Sequence, residues 1–226
     1  MKRTITIISL MLILVEASFA QETETRQLND FTEVSVGEAV KLTLVKGSKN
    51  EAKITSSNID LRDIETEVSG DRLRIGIDGR HYNNIGVSIT LTYKEIDELN
   101  VSSAANAKTE GAIKTENFEI TVSSAGEANI EIEVKKLKVD VSSAGDLWLK
   151  GKAINQMVEV SSAGDYEGFE LVCEVAAVRV SSAGSAEVNA TKEIEANANS
   201  GGSINYKGNP DKVYVNSSSG GSVKKY

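Results

Sequence analysis

Three carboxylates, Glu127, Asp146 and Asp165, recur at steps of 19 residues. A fold that stacked them one above another would gather carboxylate oxygens, the ligands hard cations such as calcium favour. The competing reading is an acidic strip screened by solvent, with Lys114, Lys138 or Lys150 alongside. The glycine-rich nonapeptide of calcium-binding repeats is absent, which favours the strip. The three residues remain the candidate metal ligands, and no cofactor is expected.

Other reactive groups are scarce. The single histidine, His81, sits in the polar stretch Gly79-Arg80-His81-Tyr82-Asn83-Asn84 with no identifiable partner, and reads as a surface loop residue. The single cysteine, Cys173, excludes an intrachain disulfide and any CxxC zinc site. Its neighbours in Leu171-Val172-Cys173-Glu174-Val175 mark a buried small hydrophobe. Serines abound, yet no Gly-x-Ser-x-Gly elbow occurs. Polysaccharide lyases share parallel β-helical folds, but Arg179 is the lone arginine of the repeated region described below, and fold analogy is a weak warrant. No catalytic residue is assigned.

The 226 residues carry 33 acidic and 25 basic side chains, a net charge of −8, which argues against a nucleic-acid groove. Met1 to Ala20 reads as a secretory signal peptide: Lys2 and Arg3 lead, Ile5 to Val15 is nearly all apolar, and Ser18-Phe19-Ala20 offers small residues for cleavage. Its apolar stretch is about half the length a membrane span needs, and no later run is long enough. Loss of Lys2, Arg3 and Glu16 on cleavage takes the charge from −8 to −9 over 206 residues. Residues 21–28 are expected to be a flexible mature N-terminus.

What must position these side chains is a repeat. Val-Ser-Ser-Ala-Gly, or a close variant, begins at 101, 122, 141, 160 and 180 and decays at 198 and 217, with spacings of 21, 19, 19, 20, 18 and 19. Flanking residues alternate with the period of a strand. Leu137, Val139, Val141, Ser143, Gly145, Leu147 and Leu149 fall on one face, and Trp148 on the other. A slip of one residue would turn such a pattern inside out, so its agreement between repeats fixes the register. The fold class is therefore all-β, a parallel β-helix of about 19–20 residues per coil over residues 101–226. Ser103, Ser124, Ser143, Ser162, Ser182, Ser200 and Ser219 are expected as an inward column. Over residues 29–100, in the same domain, six alternating segments without the repeat are expected as an irregular β cap or first coils: Phe31 to Val36, Val40 to Val45, Ala52 to Ser56, Ile64 to Val68, Leu73 to Ile77 and Val87 to Tyr93.

The Val-Ser-Ser-Ala-Gly-Asp units, the entry Phe31-Thr32-Glu33-Val34-Ser35-Val36 with Val40-Lys41-Leu42-Thr43-Leu44, and the closing Tyr206-Lys207-Gly208-Asn209-Pro210 and Ser222-Val223-Lys224-Lys225 together resemble the bacterial family called putative auto-transporter adhesin, head GIN domain. The resemblance covers nearly the whole mature chain; Ala105, Gly201 and Gly220 depart from the motif. It implies a β-helical domain exported to the cell envelope, in a family without an established activity, and it brings no catalytic residues.

The outward Ser142, Ala144, Ser161 and Ala163, with Trp148 beside them, form a strip of small side chains that could lie against an extended glycan, another sheet or a second copy. A tight corner alone would also demand small residues there. The expected function is a non-enzymatic β-solenoid presenting a rigid surface in the periplasm or on the outer surface of a Gram-negative-type bacterium, in adhesion or glycan contact. The alternative is an envelope structural or assembly component that binds a protein. The sequence names neither the glycan or protein partner nor the oligomeric state.

Overall fold

The structure is a computed structural model describing residues 21–78 and 85–226. The stretch expected as a signal peptide, Met1 to Ala20, and the one around His81 expected as a surface loop lie outside the described residues. Among the described residues every regular element but one is a strand.

Two short strands, β2 (Glu33–Val36) and β3 (Lys41–Lys46), make the first coil. The chain then leaves the stack through β4 (Glu51–Ser56), a 3-10 turn at Leu61–Asp63, β5 (Ile64–Ser69), β6 (Arg72–Ile77) and β7 (Val87–Tyr93). It returns with β8 (Glu98–Val101) and β9 (Asn106–Glu110), which lie directly on β2 and β3 in parallel register. From β10 (Ile113–Val122) the coils are continuous: β11 (Glu127–Val141), β12 (Asp146–Val160), β13 (Asp165–Val180) and β14 (Ser185–Ala198) each run the length of a repeat. The stack finishes with β15 (Ser203–Lys207), β16 (Lys212–Ser217) and β17 (Ser222–Lys225). The result is a parallel β-solenoid of about seven turns.

Each long strand folds over once. In β11 the buried Ala128, Ile130, Ile132 and Val134 keep one parity and Leu137, Val139 and Val141 the other. The slip falls at the exposed Lys135 and Lys136, where the strand turns the corner. Two ladders therefore face each other across one core, which explains the apolar residues of both parities. Outside, cations sit one rung from carboxylates: Lys114 with Glu133 at 2.6 Å, Lys138 with Glu119 at 2.5 Å, Lys192 with Glu174 at 2.6 Å and Lys212 with Glu193 at 3.2 Å. Exposed pairs contribute little each, but opposite charges on adjacent strands support the pairing register.

The repeated motif is the other corner. Gly126 N–H donates to the Ser123 carbonyl at 2.9 Å, and the residues between, Ser124 and Ala125, have φ of 51° and 57°. Two positive φ angles closed by that hydrogen bond define a type I′ turn, here without its usual Asn-Gly. The same geometry recurs at Ser143-Ala144, Ser162-Ala163 and Ser182-Ala183. Left-handed backbone costs roughly 1 kcal/mol per non-glycine residue. Stacking offsets it: Ala125 N–H donates to the Ser143 carbonyl at 3.1 Å, Ala144 to Ser162 and Ala163 to Ser182 likewise, so the hydrogen-bond ladder passes through the corner. The closing glycine answers a close approach, since a Cβ at Gly145 would lie 2.7 Å from the Val122 carbonyl oxygen of the coil before.

This geometry corrects the expected inward serine column. Ser103, Ser124, Ser143, Ser162, Ser182, Ser200 and Ser219 stand exposed at the turn tips. The first and last residues of each motif, valine and glycine in the regular copies, are four positions apart, so both point inward whether the segment between is extended or turned.

The six segments anticipated between residues 31 and 93 are all strands. One correction falls before them: residues expected as a flexible terminus form β1 (Glu22–Gln27), antiparallel to β4. Below the first coil, one ladder is extended by β7, β4 and β1 and the other by β6 and β5. Glu24 and Arg26 of β1 lie opposite the buried Ile54 and Ala52, so charges occupy the core side of the last strand. Arg26 reaches across to the Ile64 and Leu61 carbonyls, both at 2.6 Å, and closes that end.

Candidate functional site

The register aligns Asn106, Glu127, Asp146, Asp165, Ser185, Ser203 and Ser222 in one outward column at the exit of the turns. Two residues further along the same ladder runs a second column, Lys108, Asn129, Trp148, Glu167, Glu187, Asn205 and Lys224. Trp148 is half-buried on this face, between two shallow clefts of about 520 and 400 Å³. Asn129 borders both; Lys108 and Glu127 line the first, Glu167, Phe169 and Glu187 the second.

Phe169 is a residue that motif reading missed. Trp148 pairs with Glu167, but Lys150 pairs with Glu170, so β13 carries an extra residue. On its other side the register jumps from Gly168 to Val172. The bulge sets Phe169 into the cleft wall, where the Lys207 ammonium lies 5.0 Å from its ring centre and Tyr226 packs at 5.3 Å. Bulges concentrate where a strand must re-aim a side chain. The signal was in the spacing: the step to 180 is 20 residues and the next is 18, which locates the irregularity in this coil.

This face is locally acidic. Among the described residues, Asp146, Asp165, Glu167 and Glu187 have no lysine or arginine within ion-pair distance. Burial, then Glu167 and Asp146, pushes the Asp165 carboxyl above its ordinary value. Burial, then Glu167 and Asp165, does the same to Glu187. Two unit charges one rung apart repel by roughly 1 kcal/mol even in water. Glu127 accepts a hydrogen bond from Asn106 Nδ2 at 2.8 Å. The candidate ligands Glu127, Asp146 and Asp165 thus sit on consecutive rungs, and among the described residues no three acidic, His or Cys side chains converge to hold a metal ion.

Of the small-residue candidates, Ser142 and Ser161 are half-buried and Ala144 and Ala163 exposed. They lie along the turn edge, with Asp146 between that edge and Trp148. A separate groove of about 600 Å³ follows the other ladder beside the bend, walled by Phe118, Leu137, Met157, Val175 and Ala177. Cys173 is buried beneath the surface, and burial pushes its thiol up to about 11.

The family model described as "Putative auto-transporter adhesin, head GIN domain" matches residues 30–210. The chain belongs to this family. Solved structures share the head GIN fold: a putative adhesin from Bacteroides fragilis (TM-score 0.85, 22% identity, covering 92% of this chain and 98% of that one), a putative adhesin from Parabacteroides merdae (0.76, 17%, 91% and 96%) and a putative lipid binding protein from Parabacteroides distasonis (0.72, 22%, 91% and 96%). At these identities the likeness is one of fold. No curated protein matches the chain significantly. The head GIN family and the adhesin names among its neighbours suggest a non-enzymatic, exported or surface protein, and no helix among the described residues is long and apolar enough to cross a membrane.

Proposed function

We propose that this head GIN domain is a non-enzymatic adhesion module of the bacterial cell envelope, and that the face bearing Trp148 contacts glycan. The observation that carries the reading is Trp148 set between two clefts on a flat β-face, with amide and carboxylate groups of Asn129, Glu167 and Glu187 around it. An indole edge or face covers the apolar side of a sugar ring, while amides and carboxylates bond its hydroxyls. The unpaired carboxylates favour neutral or amine-bearing glycans over uronates and sulfated chains, which they would repel. A glycan array comparing the protein with Trp148→Ala tests this. Binding confined to neutral and amino sugars and weakened at least tenfold by the substitution is the expected result; binding unaffected by Trp148→Ala would refute the assignment of this face.

A protein partner is the second reading, favoured by the apolar groove beside Met157. Capture of an envelope protein that is lost in Met157→Lys and kept in Trp148→Ala would select it. Both readings place the mature chain, beginning at Gln21, in the periplasm or on the outer surface, which lysine labelling of intact cells distinguishes.

A further inference from the structure

The two ends of the solenoid are built on opposite rules. At the N-terminal end the ladders are uneven, three added strands against two, with Glu24 and Arg26 on the core side and Arg26 bonded across the gap. Inward charge of this kind prevents edge pairing. At the C-terminal end the last coil is complete on both ladders, β16 pairing only with β14 and β17 only with β15. Val213 and Val215 continue the inward positions of Ile194 and Ala196, which are fully buried one rung earlier, yet Val213 is 45% and Val215 49% exposed. Tyr214 between them is 55% exposed. The charge on the core side here, Lys225, is drawn to Asn209 Oδ1 at 3.1 Å and leaves β16 unguarded.

We infer that β16 is a homodimer interface, in which two copies of this chain join tail to tail by antiparallel pairing of their β16 edges. The sequence of the edge is self-complementary. With the two-fold axis at Tyr214, Val213 lies opposite the other copy's Val215, Lys212 opposite its Asn216, and Tyr214 opposite its own counterpart. No like charges oppose directly, apolar residues meet on the core side, and the free N–H and C=O groups of both edges are satisfied. The stepped, charge-lined N-terminal end cannot offer β16 a matching strand, so head-to-tail growth is blocked and the assembly closes at two. Lys212, four positions from its symmetry mate across the axis, keeps Glu193 as its ion-pair partner at 3.2 Å, so backbone pairing and the valines, not charge, hold the dimer.

Sedimentation of the mature chain over a wide concentration range tests this. The expected result is a concentration-dependent monomer–dimer equilibrium. Val213→Lys with Val215→Lys copies the inward charges of the other end and should raise the dissociation constant by about a hundredfold or more. Should that variant lose its last coil, Tyr214→Cys serves independently: its side chain faces outward, the native Cys173 is buried, and mild oxidation should give a covalent dimer at the two-fold axis. A monomer at every concentration, or a dimer that neither responds to the lysine pair nor cross-links through Tyr214→Cys, overturns the inference.

Discussion

The Tyr166 hydroxyl donates to Gln156 Oε1 at 3.1 Å within the core of the regular coils. Gln156 Nε2 in turn donates to Cys173 Sγ at 3.1 Å, and the thiol to the Asn189 carbonyl at 3.4 Å. An aromatic residue can occupy this narrow interior because the chain gives its hydroxyl a partner. Gln156→Leu strands that hydroxyl and should cost about 1–3 kcal/mol. Tyr166→Phe added to it should recover most of the loss, a coupling that denaturant titration of the four variants would reveal.

Burial keeps Cys173 unreactive, against the opposing pull of the Gln156 hydrogen bond. Burial holds its thiol up at about 11, so little thiolate exists at neutral pH. A chromogenic disulfide reagent should label the native protein negligibly over hours and label it stoichiometrically in denaturant. Rapid labelling of folded protein would contradict the buried assignment.

Asp165 gives a stability effect of defined sign. Its carboxyl is raised in the folded chain, so between the ordinary Asp value and the raised one the native state holds more proton than the unfolded state, and stability falls as pH rises through that window. Asp165→Asn should therefore melt higher than the parent at neutral pH, with the difference disappearing once acid protonates both states of the parent. A lower melting temperature at pH 7 would show that its hydrogen bond with Ser185 outweighs repulsion from Glu167 and Asp146.

The turns separate two demands within one motif. Gly145→Ala introduces a Cβ within 2.7 Å of the Val122 carbonyl and should destabilise by about 1–3 kcal/mol. Replacing Ser143-Ala144 by Asn-Gly supplies residues suited to two positive φ angles and should stabilise by up to about 1 kcal/mol, or a few degrees of melting temperature.

Arg26 should behave as a structural plug. Arg26→Met removes its bonds to the Ile64 and Leu61 carbonyls and leaves Glu24 without its 3.0 Å partner. Faster amide exchange in β1 and β5, with the later coils unchanged, is the expected pattern.

Parity made the regular coils legible. Val122, Gly126 and Ala128 are inward by alternation, and the register of the columns follows from it. Parity also hid the turn, because an even spacer between valine and glycine is blind to what Ser124 and Ala125 do. The first corner escaped notice for another reason: Gly37-Glu38-Ala39-Val40 adopts the same backbone, with φ of 52° and 55° at Glu38 and Ala39, but shares almost no side chains with the later motifs. Trp148 was visible as an outward aromatic. Phe169 was not, since a bulge moves it out of the phase that alternation predicts.

Val36 and Val101 are neighbours in the ladder although 65 positions separate them in the chain. A polypeptide made from its N-terminus therefore holds its first coil unfinished until β8 and β9 have been made. Closing that long loop is an entropic toll the later coils, each resting on residues about 19 positions earlier, never face. Assembly is thus expected to nucleate among β11, β12 and β13 and to reach the oldest part of the chain last, so that the rate of acquiring the native state is set by the β2–β8 closure and not by the number of coils.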